Sequence, residues 1–163
     1  MNITNIVAKK PRYYSFLVSP VSNLDDALKN GHFNGCSFSV SAERVKLRAT
    51  DGRKKVCVIP LTRKLEPDKI LNHLASVGLK PCADAPNFLG GLMAAVQEAD
   101  MPQELRDIQI VAAEPENPSS IFLNERGQKC FLCVHRHVLY RIPGLVGVEG
   151  DWSTRWALLG EKL

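Results

Sequence analysis

Nowhere does the sequence hold an apolar run approaching the roughly 20 residues that cross a membrane as a helix. The stretch from Met1 to Tyr14 carries Lys9, Lys10 and Arg12, but no apolar core and small-residue cleavage site follow it. We therefore expect a cytoplasmic protein that is neither exported nor membrane-spanning. Cysteine is sparse and odd in number. Cys36, Cys57, Cys82, Cys130 and Cys133 lack the density of a secreted disulfide framework, which fits a reducing compartment. Catalytic signatures are missing too: there is no Gly-x-Ser-x-Gly elbow, no phosphate-binding glycine loop and no His-Glu-x-x-His. The paired acids Asp25-Asp26 and Glu114/Glu116 fall in a helix start and a loop, where carboxylates are ordinarily solvated. No catalytic residue is expected. A net charge of +4 is too small to name a partner by itself, so the distribution of charge has to do so.

What is present is ordinary globular chemistry. With 163 residues, of which 45% are hydrophobic and 23% charged, the chain can bury a core without metal or disulfide staples, and residues 1–163 are expected to form one domain. Residues 13–20, rich in aromatic and β-branched types and closed by Pro20, predict a first strand. Asn23 predicts an N-cap for a short helix over Leu24–Lys29, with Asp25 and Asp26 in its first turn and Gly31 beyond its end. The segments Arg44–Thr50 and Arg53–Ile59 flank Asp51-Gly52, the favoured dipeptide of a two-residue hairpin. Such a hairpin sets Val45 against Val58 and Leu47 against Val56 on an inward face. It leaves Arg44, Lys46, Arg48 and Lys55 on the other, with Arg48 opposite Lys55.

Residues 66–101 predict two helices. Pro67 and Asp68 suit a helix start, Ile70, Leu71, Leu74 and Val77 form an apolar stripe, and Gly78 ends it. After Pro81, Asp84 can cap a second helix with Pro86 near its start and Phe88, Leu89, Leu92, Met93 and Val96 turned inward. Gly90 and Gly91 either weaken that helix or admit a close neighbour. From residue 108 to 163 the pattern returns to strands at 108–112, 121–123, 129–140 and 156–159. Asn124–Gly127 reads as a hairpin turn, and 114–118 and 144–151 as loops. A mostly stranded first part (1–65) with one short helix, a central helix pair and a stranded end predict an α+β fold, with antiparallel sheet and a pair of helices in the middle of the chain.

From about Cys36 onward the chain resembles a widespread family of uncharacterised bacterial and mobile-element proteins. The resemblance lies in Pro60-Leu61 with Arg63-Lys64, the helix 68–77 followed by Gly78-Leu79-Lys80-Pro81, a second helix from Ala85, the strand 108–112, and Gly150-Asp151-Trp152 with Arg155–Leu159. It departs from the usual pattern at Gly90-Gly91 and at Glu161-Lys162-Leu163. The resemblance implies a shape and no activity, cofactor or ligand.

Two constellations could carry chemistry. In the string Cys130 to His137, residues two apart share a strand face, so Cys133, His135 and His137 project together and could hold zinc at a three-ligand site, while Cys130 points away. The competing reading places the cysteines in the core and the histidines on a solvated face. It is favoured because no second ligand pair lies at metal-site spacing, and no cofactor is therefore predicted. Redox use of Cys-x-x-Cys is weaker still on a strand. The second constellation is basic: between Arg44 and Lys64 the chain has eight Lys or Arg residues and one acid, Asp51. Arg44, Lys46, Arg48, Arg53, Lys54 and Lys55 could meet an anion or a nucleic-acid backbone, or could simply keep a sheet edge soluble. No aromatic interleaves them, which argues against single-strand stacking, and the second helix lacks any cation for reading a DNA groove. Trp152 and Trp156 are expected in the core. The expectation is a non-enzymatic binding or interaction domain whose partner is another protein or nucleic acid.

Overall fold

Four consecutive residues, Val56–Ile59, are buried almost completely, and that run decides how the sheet is assembled. A half-buried strand alternates; a continuous apolar run needs cover on both faces and partners on both edges. In the computed structural model, which describes residues 12–31, 33, 40–95, 105, 108–136, 141–149, 152 and 156–163, that run lies in strand β2 (Lys54–Pro60). Its neighbours are β1 (Tyr14–Val18) on one side and β8 (Trp156–Lys162) on the other, both antiparallel. Beyond β8 come β4 (Gln109–Val111) and β6 (Lys129–Arg136). The short β3 (Leu79–Pro81) continues along β8. β5 (Ile121–Leu123) pairs with β6 on the side β4 uses, and β7 (Arg141–Gly147) forms the far edge.

Helices cover both faces. α1 (Leu24–Asn30) and α3 (Ala85–Ala95) bury Leu24, Phe88, Leu89, Leu92 and Met93 with Val56, Val58, Ile110 and Leu132. On the opposite face α2 (Ile70–Ser76), entered through a 3₁₀ turn at Pro67–Lys69, buries Ile70 and Leu74 with Cys57, Ile59, Phe131, Cys133 and Trp152. The fold is α+β, and among the described residues no helix is long and apolar enough to span a membrane.

Local signals hold up well. The Asn23 side chain caps α1 by accepting from the Asp26 amide, and Gly78 closes the end of α2 with φ +79°. The Asn124 side chain accepts from the amides of Arg126 and Gln128 to close the β5–β6 hairpin. Gly90 admits a neighbour: a Cβ there would lie 2.7 Å from the Ala27 carbonyl oxygen, so α1 and α3 touch through backbone.

Long-range assignments need four corrections. Residues 45–53 form no strand, and the 44–59 hairpin does not exist: Val58 faces Tyr14, Val56 faces Phe16 and Lys55 faces Leu17, because β1 and β8 take both edges of β2. The in-out sorting survives without the pairing, since Val45 is buried and Leu47 half-buried while Arg44, Lys46 and Arg48 are exposed. The sheet is mixed, with β4 and β8 parallel. Residues 144–147, expected in a loop, belong to β7, where Pro143 is tolerated because an edge strand has one unpaired side. In α2, Leu71 is 38% exposed and does not join the apolar stripe.

Candidate functional site

The basic constellation separates into three parts. Arg48 pairs with Asp84 at 3.5 Å, and Asp84 also accepts from the Thr50 hydroxyl. Lys54 is tied more firmly: its ammonium lies 2.8 Å from Glu161, donates to the Ala83 carbonyl and sits 4.6 Å from the Phe88 ring centroid. Burial works against the Lys54 charge. The hydrogen bond to Glu161 and the neighbouring Cys82 and Glu161 outweigh it and hold its pKa above the ordinary value. Burial likewise opposes the Glu161 charge, yet Lys54, the Ala83 amide and Lys80 at 3.5 Å hold its pKa down. Arg48 and Lys54 fasten the 48–54 segment to the turn at 83–84 and to β8. Arg44, Lys46, Arg53 and Lys55 remain exposed, with no ion pair among the described residues, though Lys46 shares a hollow with Asp25.

The third part is Arg63-Lys64, at the other end of β2. The five residue steps from Lys55 to Pro60 span about 17 Å of strand, so these cations do not extend the Arg44–Lys55 group. Leu61 and Leu65 are buried and anchor a strap: the Leu61 amide donates to the Trp156 carbonyl at 2.9 Å, and Leu65 exchanges two backbone hydrogen bonds with Trp152. Arg63 and Lys64 are exposed between these anchors. Facing the strap is the polar side of the helix entered at Pro67, where Lys69, Asn72, His73 and Ser76 recur at the i, i+3, i+4, i+7 spacing of one face. Together they enclose an open groove of about 560 Å³, also bordered by Leu65 and Glu66. Burial, and then the Arg63 charge, lower the His73 pKa; its Nε2 is buried without a hydrogen-bond partner among the described residues. The apolar stripe of this helix, Ile70 and Leu74, points to the core and says nothing of the groove. The complementary stripe 69/72/73/76 beside Arg63-Lys64 was the available signal.

Cys133 lies in the apolar cluster beneath α2, near Phe131 and Trp152. Burial, with Cys130 adding to it, pushes its thiol up to about 12, so it is protonated at neutral pH. Cys130 falls on the opposite sheet face, as alternation requires. His135 continues β6 by pairing with Gln109 and Ile142; its side chain, and the whole of His137, lie outside the described residues. Among the described residues no three His, Cys, Asp or Glu side chains converge as metal ligands. Trp152 is fully buried, edge-on to Phe131 at 6.0 Å and 6.4 Å from half-buried Trp156. Cys57, Cys82, Cys130 and Cys133 are free and buried.

No protein-family model matches the chain, and neither the curated proteins nor the solved structures contain a significant match.

Proposed function

We propose that the chain is a cytoplasmic, non-enzymatic binding domain that meets a nucleic-acid backbone through Arg44, Lys46, Arg53 and Lys55. The observation that carries this reading is the division of labour among the cations. Arg48 and Lys54 are held by Asp84 and Glu161, whereas these four are exposed and make no ion pair among the described residues. An exposed cation without a carboxylate partner contributes to phosphate binding by releasing counterions, without first breaking an internal bond. The free thiols fit a reducing compartment. The family resemblance from Cys36 onward implies no ligand, so this reading rests on the chain's own residues.

Fluorescence anisotropy with a labelled duplex tests it. Four phosphate contacts give a slope of about −3.6 in log K against log salt, so affinity falls on the order of a hundredfold between about 50 and about 200 mM salt. Replacing all four residues by alanine removes most of that slope. Binding that is insensitive to salt, or unchanged in the fourfold variant, rejects this surface and leaves a protein partner as the remaining reading.

A further inference from the structure

We propose that the groove between the Arg63–Glu66 strap and the polar face of α2 is a second binding site, for a compact phosphorylated molecule such as a pyrophosphate or a sugar phosphate. It is independent of the surface assigned to nucleic acid, lying at the opposite end of β2.

The lining chooses the ligand class. Arg63, Lys64 and Lys69 border the groove and Glu66 is the one acid in its lining, a balance that suits an anionic ligand such as a phosphate. Of the donors there, the Arg63 guanidinium offers a planar fork, Lys69 an ammonium and Asn72 an amide. Among the described residues Leu65 is the one hydrophobic residue in the lining, and no Phe, Tyr or Trp is there for a nucleobase to stack on. A volume of about 560 Å³ suits a small molecule rather than a strand of nucleic acid. Among the described residues the His73 Nε2 has no hydrogen-bond partner, which is unusual for a buried polar atom beside a cationic groove. A shift of its side chain would present one more ring nitrogen to the groove.

The groove is held by the backbone rather than by its polar residues. Leu65 and Trp152 fix the strap, and Ile70 and Leu74 fix the helix, so Arg63 and Lys69 can be changed without removing a buried contact. Titration calorimetry of inorganic pyrophosphate into the full chain is the direct test, with Arg63→Ala/Lys69→Ala as the groove variant and the fourfold Arg44/Lys46/Arg53/Lys55→Ala protein as the control. We expect one saturable site, weakened about tenfold or more in the groove variant by the loss of two charge-assisted partners and unaltered in the control. Amide chemical shifts of Asn72 and Ser76 should move with pyrophosphate in the unmodified protein, a readout that needs no variant. Absence of saturable heat, wild-type affinity in the groove variant, or equal loss in the control overturns the proposal. None of these results bears on duplex binding, which stands or falls on the anisotropy titration.

Discussion

Gly90→Ala sets two well-known effects against each other, and the structure says which prevails. Helix propensity alone makes the change favourable by about 1 kcal/mol in a helix interior. The structure places the new methyl 2.7 Å from the Ala27 oxygen, 3.0 Å from its Cα and 3.2 Å from its carbonyl carbon. All three are backbone atoms of α1, so no rotamer change relieves the contact and the helix must move as a unit. The same carbonyl accepts from the Gly31 amide at 3.0 Å, so displacing it also disturbs the end of α1. Overpacking of this kind costs about 1–3 kcal/mol. Subtracting the propensity gain leaves a net loss of about 1 kcal/mol, with a range from near zero to about 2. For a chain of this length that lowers Tm by about 2–4 °C per kcal/mol. Gly147→Ala is the control: its Cβ would meet nothing within 4 Å, so a change within about 0.5 kcal/mol is expected. Urea unfolding followed by circular dichroism reads both variants. If Gly90→Ala is more stable than the parent chain, α1 and α3 do not meet through backbone and the packing described above is wrong.

Two further outcomes follow from titratable groups. The Glu161 pKa is lowered in the fold from its ordinary 4.5, so its contribution is present above that pH and is lost as pH falls through the folded value. Lys54 is raised above 10.5, so its contribution is complete below that pH and is lost as pH rises through the folded value. Glu161→Gln should therefore lower Tm near neutral pH by about 2–4 °C, a charge-assisted bond discounted to about 1 kcal/mol for partial exposure, and the deficit should shrink as the medium is made acidic. An equal deficit at acid and neutral pH would show that charge is not the cause. Burial pushes the Cys82 and Cys133 thiols up to about 12, with Lys54 pulling Cys82 back only in part. Alkylation followed by mass spectrometry should leave both unmodified in the native chain and modify both after denaturation; rapid native labelling of Cys133 would contradict its place beneath α2.

The sequence was legible where a residue's role is decided by its near neighbours. Asn23 caps, Gly78 stops and Asn124 turns because each satisfies backbone groups two or three positions away. Asp51-Gly52 obeys the same local logic, since Gly52 does take φ +88°, yet a turn-competent dipeptide cannot dictate pairing when both edges of the following strand are claimed elsewhere. Val45 and Leu47 kept their inward orientation because burial demands only an apolar surface to face, here the layer formed with α1 and α3. The groove divides in the same way. Its helical half is written as the stripe Lys69, Asn72, His73 and Ser76, whereas the strap opposite it depends on Leu65 meeting Trp152 across 87 positions of chain, which no local pattern encodes.

The missing 44–59 hairpin and the parallel pair within the sheet share one cause, the position of β8. Although last in chain order, it lies between β2 and β4, antiparallel to the first and parallel to the second, with β3 along its remaining length. Among the described strands it alone joins the β1–β2 pair to the β4, β6, β5 and β7 set. A strand so placed must be apolar on both faces, and Ala157, Leu158 and Leu159 are fully buried in succession, the same signature as Val56–Ile59. Two uninterrupted apolar runs about a hundred positions apart were thus the evidence for adjacent central strands, and each pre-empts the edge that a local hairpin would have used. The placement also explains the charge pattern. With β2 and β8 paired, Lys54 and Glu161 arrive at the same end of the sheet, so a cation that resembles its neighbours in sequence serves the fold, while Arg53 and Lys55 on either side of it remain at the surface.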